Sequence, residues 1–183
     1  MFPTRTAPEK TPNMTFTGKQ IEELVTCAKR VSTAPARSFK EENRHRRKDM
    51  GLEAMSDPKE VFEVFIRQSL EFAEDFSLGL VYHSLDGTRI TLVRYNGQHE
   101  QTNNPLDQAK PHFQYHVHTA TADNLNSGRY DKHPAAPTPE YASFEEATGA
   151  FLARIGLEQN DVAEYFPNLS EQLLLFRKPE GRL

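Results

Sequence analysis

Histidines at alternate positions mark the stretch of this sequence best able to do chemistry. Residues 111–118 read Pro-His-Phe-Gln-Tyr-His-Val-His. Successive side chains of a strand point to opposite faces, so the alternation predicts a strand over 112–118. Phe113, Tyr115 and Val117 fall on one face; His112, Gln114, His116 and His118 fall on the other. Same-face neighbours lie roughly 7 Å apart, from a rise of about 3.4 Å per residue. Imidazoles in such a row can share a phosphate, a metal ion or a proton network. Imidazole titrates near neutrality, so two of them suffice for metal-free RNA cleavage. One deprotonates the 2′-hydroxyl and the other protonates the 5′-leaving oxygen. His116 and His118 are the expected acid–base pair, with His99 entering from the adjoining loop. A cation must then steady the phosphorane. Arg94 is the candidate and Lys110 the alternative.

The same nitrogens allow a metal-dependent, cupin-like enzyme. His116 and His118 supply two ligands, His99 a third, and Asp123 or Glu100 an oxygen. Zinc, iron or manganese accepts such a set. No cofactor is expected for the first chemistry, and a divalent metal for the second. A third reading makes the histidines hydrogen-bonding groups of a nucleic-acid- or partner-binding module, because polar and core residues alternate in most half-buried strands. His83 beside a hairpin turn and His133 in a proline-rich loop read as structural or incidental, and His45 belongs to a basic run.

The positioning elements are legible around this stretch. β-branched and aromatic runs predict strands over 61–67, 76–83 and 89–95. Asp86-Gly87 is a hairpin signal and Asn96-Gly97 a turn. Short connections among these strands argue for an antiparallel sheet. Leu92 and Val93 are adjacent and cannot share a face of a regular strand, so that strand is expected to be covered in part on both sides. Thr17 caps a helix with apolar positions Ile21, Leu24, Val25, Ala28 and Val31, ending near Ser32-Thr33. A short helix starts at Thr121 and stops at Gly128, and the three prolines of 131–141 mark a loop. Ser143 and Glu146 have the capping-box form ahead of Phe144, Ala147, Phe151, Leu152 and Ile155, with Gly156 as terminator. A last helical stretch includes Val162, Tyr165 and Phe166, then continues over 169–176. The expected fold class is α+β, an antiparallel sheet with helices packed on one face.

With 183 residues, the chain is long enough for one domain with its own core. The expected organisation is a disordered Pro/Thr-rich tail over 1–15, an N-terminal helix and basic connector over 16–50, and an α+β domain over 51–183 that forms one globular unit with the helix. The one cysteine, Cys27, excludes an internal disulfide framework and a cysteine-based zinc knuckle, and reads as a packing residue. No apolar run approaches the roughly 20 residues of a membrane span. The first residues lack the apolar core of a signal peptide, so a cytoplasmic, reducing setting is expected. The net charge of −4 hides a split: residues 1–50 hold 11 Lys and Arg against 6 Asp and Glu, and the rest hold 11 against 20. The densest positive cluster is Arg44, His45, Arg46, Arg47 and Lys48. Such charge binds phosphates, which makes these side chains nucleic-acid-binding candidates with Lys110; the alternative is a connector paired with its own acidic body.

Phe-Ser-Leu-Gly-Leu over 76–80, Leu-Val-Arg-Tyr-Asn-Gly-x-His over 92–99 and the histidine stretch with Thr119 and Thr121 resemble a family of uncharacterised prokaryotic and phage proteins, a domain of unknown function. The likeness runs from about 17 to 155 and includes Thr138 and Tyr141. A looser likeness covers 94–118: a strand-ending Arg-Tyr-Asn, a histidine soon after, then a histidine-rich strand. This is similar to the toxin components of small toxin–antitoxin pairs. It implies action on RNA and a protein antitoxin as partner.

Overall fold

A computed structural model describes residues 15–98 and 114–169. Eight strands form one antiparallel sheet: β1 (Lys29–Thr33), β2 (Lys40–Glu42), β3 (His45–Ala54), β4 (Val61–Ser69), β5 (Phe76–His83), β6 (Arg89–Asn96), β7 (His116–Thr119) and β8 (Ala135–Pro137). Their order is β1-β3-β4-β5-β6-β7-β8, with β2 beside β3. Four labelled helices are α1 (Gly18–Thr26), α2 (Ala122–Asn126), α3 (Phe144–Arg154) and α4 (Gln159–Tyr165), and residues 167–169 are helical as well. Buried side chains of all four belong to the same core cluster as Leu52, Val64, Leu78, Leu80 and Tyr95. The helices therefore cover one face of the sheet, and the α+β expectation holds. Among the described residues no helix is long and apolar enough to cross a membrane.

Directly opposed residues of an antiparallel pair lie on the same face. One row runs Ile66, Leu78, Tyr95, Val117 and belongs to the helix side. The next row runs Asp49, Phe65, Gly79, Arg94, His118 on the other side. A third, Arg47, Arg67, Ser77, Asn96, His116, shares that second, polar face.

A β-bulge in β6 decides which side chains join these rows. Leu80 pairs with Val93 but Val81 pairs with Thr91, which leaves Leu92 as the extra residue. In a regular strand Ile90, Leu92, Arg94 and Asn96 would share a face. The bulge inverts the alternation, so Val93 and Tyr95 continue the core face begun by Ile90 while Arg94 and Asn96 turn to the polar side. Leu92 and Val93 both enter the one core cluster. The adjacent pair reflects a bulge, and β6 is also covered in part on its other face, where Asn96 is buried opposite a fully buried His116.

Three expectations need correction. The first helix ends at Thr26, not near Thr33; Cys27 is extended (ψ 145°), and Lys29–Thr33 is β1. The β-branched Val31 and Thr33 fit a strand against β3 better than a helix. The histidine strand begins at His116: Gln114 and Tyr115 precede it without strand pairing, and His112 lies outside the described residues. The 131–141 loop contains the short edge strand β8.

The basic connector is likewise part of the sheet. Asn43 and Arg44 both have positive φ and form the two-residue turn between β2 and β3, where Glu42 opposes His45. Strand alternation then separates the cations. Arg46 and Lys48 face the helix side: Arg46 bonds Gln68 at 2.7 Å and lies over the Phe39 and Phe144 rings. Lys48 is buried between the Phe39 and Phe166 rings. Arg47 faces the polar side and pairs with Glu42 at 3.0 Å, while Arg44 pairs with Glu71 at 3.3 Å. The run is strand and turn paired in part with its own acidic residues, and the expected boundary at residue 50 falls inside β3.

The predicted caps form. Thr17 and Gln20 make a reciprocal capping box on α1. Ser143 accepts from the Glu146 N–H, while Glu146 bonds back to the Ala142 N–H instead of that of Ser143. Lys29, which the sequence does not mark, clamps the helix ends together. Its ammonium donates to the carbonyls of Val25 (2.9 Å), Cys27 (3.0 Å) and Ile155 (3.0 Å) and sits 4.6 Å from the Phe62 ring centroid. Gly156 makes that approach possible: its φ is +67°, and a Cβ there would meet the Cys27 carbonyl oxygen at 2.6 Å.

Candidate functional site

The end of β6 and the start of β7 carry the candidate residues. Arg94 opposes His118, and Asn96 opposes His116. The two imidazoles meet edge to face, with centroids 5.1 Å apart. Both are buried, at 0% and 7% exposure, so the imidazole row is not a solvent-facing one.

The ring nitrogens differ in what they face. His116 Nδ1 lies 2.8 Å from the Gln114 carbonyl oxygen and must donate to it. In the neutral ring Nε2 then carries the lone pair, and it accepts from the Asn96 amide at 3.1 Å. Ser77 donates to the Asn96 side-chain oxygen at 2.8 Å, which fixes the amide in this sense. His116 thus sits at the end of a serine–asparagine–histidine chain. A proton or a metal arriving at its Nε2 must first displace Asn96.

His118 is held differently. Its Nδ1 donates to the His133 carbonyl oxygen at 2.8 Å, which leaves the Nε2 lone pair as the basic position of the neutral ring. His133 in turn donates from Nε2 to the Thr91 carbonyl oxygen at 2.6 Å, while its Nδ1 is buried without a hydrogen bond. Burial lowers the His133 pKa, so this ring stays neutral near pH 7. Thr91 also donates its N–H to the Tyr130 carbonyl oxygen. His133 therefore ties the 130–133 segment to the β6 edge and orients the His118 ring through its own carbonyl.

Arg94 completes the group. The other five strand arginines have partners: Arg30 with Glu53, Arg46 with Gln68, Arg47 with Glu42, Arg67 with Asp49 and Arg89 with Glu63. Arg94 makes no hydrogen bond or ion pair with any described residue, and its Nε is buried. Burial pulls its pKa down, and Asp131 offsets this only at a distance. A half-buried guanidinium without a partner is costly, and an anion would relieve the cost.

Tyr141 sets the spacing of the two strands beneath the site. Its hydroxyl accepts from the Asn96 N–H at 3.2 Å and lies 3.0 Å and 2.8 Å from the Asn96 and His116 carbonyl oxygens. Burial pushes its pKa above the usual phenol range, so it remains a donor. Its ring stacks on Tyr95, with centroids 5.3 Å apart.

Of the sequence candidates, Arg94, His116 and His118 come together. His99, Lys110 and Glu100 lie outside the described residues. Asp123 is in the first turn of α2, and among the described residues no three His, Cys, Asp or Glu side chains are arranged to hold a metal. Arg44, Arg46, Arg47 and Lys48 do not converge on the site. Asn96, Tyr141 and His133 are the working residues that motif reading passed over. Asn96 had a signal in the Arg-Tyr-Asn run, and Tyr141 in the Thr-x-x-Tyr element. His133 had none, since a histidine among prolines gives no hint of where its carbonyl points. Comparison with protein-family models, curated proteins and solved structures finds no match for this chain.

Proposed function

We propose that the protein is a toxin-like RNA-cleaving domain that acts in the cytoplasm and is held in check by a protein antitoxin. The supporting observation is the Arg94 guanidinium, without a partner among the described residues, directly across from His118, whose ring is oriented by a backbone carbonyl. Arg94 grips the scissile phosphate and steadies the charge that grows on it. His118 Nε2 takes the 2′-hydroxyl proton. The resulting oxygen attacks phosphorus, and the 5′-oxygen leaves with a proton, giving a 2′,3′-cyclic phosphate. His99 is the sequence's candidate donor of that second proton. His116, with both nitrogens engaged, positions the strand end and His118 instead of exchanging protons.

The test uses purified protein and a labelled RNA, with and without EDTA. His118→Ala is expected to lower cleavage by roughly 10²-fold or more, the usual loss for an acid–base group. Arg94→Met is expected to lower it with the fold intact. The parent rate is expected to survive EDTA. Full activity in His118→Ala would end the acid–base role. Loss in EDTA, restored by added metal, would make the same histidines metal ligands.

A further inference from the structure

Phe65 is an aromatic side chain set outside the core. It lies on the polar face, in the row Asp49, Phe65, Gly79, Arg94, His118, and is not part of the core cluster. It is partly exposed. Its ring reaches across β5: a Cβ on Gly79 would lie 2.2 Å from Phe65 Cζ, 2.3 Å from Cε1 and 3.1 Å from Cε2. Glycine therefore leaves room for the ring, and the ring ends beside the strand that carries Arg94. Arg67, paired with Asp49, flanks it with its guanidinium carbon 5.7 Å from the centroid.

The order along the row is that of a nucleotide. An aromatic ring seated over Gly79 comes first, then Arg94, a cation without a hydrogen-bond or ion-pair partner among the described residues, then an imidazole. We propose, resting on the RNA-cleaving reading above, that Phe65 is the stacking platform for a nucleobase whose phosphate lies on Arg94, and that the substrate is single-stranded RNA. Base faces stack on aromatic rings whatever the sequence, and a duplex hides those faces in its own stack. Arg94 holds the phosphate end of the nucleotide, since Asp49 at the opposite end of the row is already paired with Arg67 and offers phosphate no cation.

Binding is measured by fluorescence anisotropy with labelled oligoadenylate, single-stranded and paired with oligouridylate, in a His118→Ala background that leaves the RNA whole. The parent is expected to prefer the single strand. Phe65→Leu fills the same space over Gly79 without a π-face, and is expected to weaken single-strand binding by roughly fivefold to a hundredfold, as loss of a stacking aromatic does. Phe65→Trp is expected to retain it. Equal affinity of Phe65→Leu and its parent, equal binding of single and double strands, or no binding at all would overturn the platform. Photocrosslinking of bromouridine RNA to the unsubstituted chain reads the same contact without relying on a variant's folding. An adduct in β4 supports the platform and one mapped elsewhere overturns it. Cleavage separates the two ideas. Single-strand binding through Phe65 with the RNA left intact by the unsubstituted chain keeps the platform and removes the acid–base role. Cleavage that Phe65→Leu leaves unchanged keeps that role and removes the platform.

Discussion

Replacing Lys29 with methionine separates a structural cation from the functional ones. The side chain is fully buried, and its three protons meet three carbonyl oxygens at 2.9–3.0 Å. Val25 and Cys27 end α1, and Ile155 follows α3, so these carbonyls have no helical partner of their own. Methionine keeps the length and apolar stem but donates nothing. Each buried acceptor left unsatisfied costs about 1–3 kcal/mol, and the lost contact with Phe62 adds about 1 kcal/mol. Against this, the buried ammonium no longer has to be desolvated, a return of several kcal/mol. The difference is a net loss of roughly 3 kcal/mol, in the range seen when one partner of a buried charge is removed. At about 2–4 °C per kcal/mol for a chain of this size, the melting temperature is expected to fall by roughly 6–12 °C. Urea unfolding of Lys29→Met beside Lys19→Met, an exposed lysine in an i,i+4 pair with Glu23, is the assay. The exposed change should shift stability by less than about 0.5 kcal/mol. A Lys29→Met protein as stable as the parent would refute the clamp and show that desolvation of the amine outweighs its hydrogen bonds.

Acidification provides a second check. His133 has a folded pKa below the ordinary histidine value because it is buried, so the unfolded chain binds its proton first as pH falls. Its contribution is fully present above about pH 6.5 and is lost as pH falls through the lower folded value. His133→Asn should therefore flatten the stability–pH curve as pH falls below about 6.5; an unchanged slope would count against a neutral buried ring. Tyr141→Phe removes the hydroxyl between Asn96 and His116 while keeping the ring stack, and should cost about 1–2 kcal/mol with a drop in any RNA cleavage. Unchanged amide exchange at Asn96 in that variant would show that the hydroxyl does not hold the strand end.

The linear chain determined what local physics controls. The Asp86-Gly87 turn, the Thr17 and Ser143 caps and the apolar periodicity of α3 need only neighbours a few residues away, and all of them formed. The histidine alternation correctly placed His116 and His118 together on one face, opposite Val117. It could not tell that this face is buried there, because burial depends on segments far along the chain. His133 reaches His118 from 15 residues on, and Asn96 reaches His116 from 20 residues before. The basic run shows the same limit. Charge density is visible in sequence, but only strand pairing splits Arg46 and Lys48 from Arg47, because alternation sends neighbours to opposite faces. Nothing local distinguishes Lys29; its role exists because α1 and α3 end at the same point. The deciding feature is the β6 bulge. One extra residue at Leu92 reverses the side-chain alternation, and tertiary pairing with β5 alone turns Arg94 and Asn96 towards the histidines.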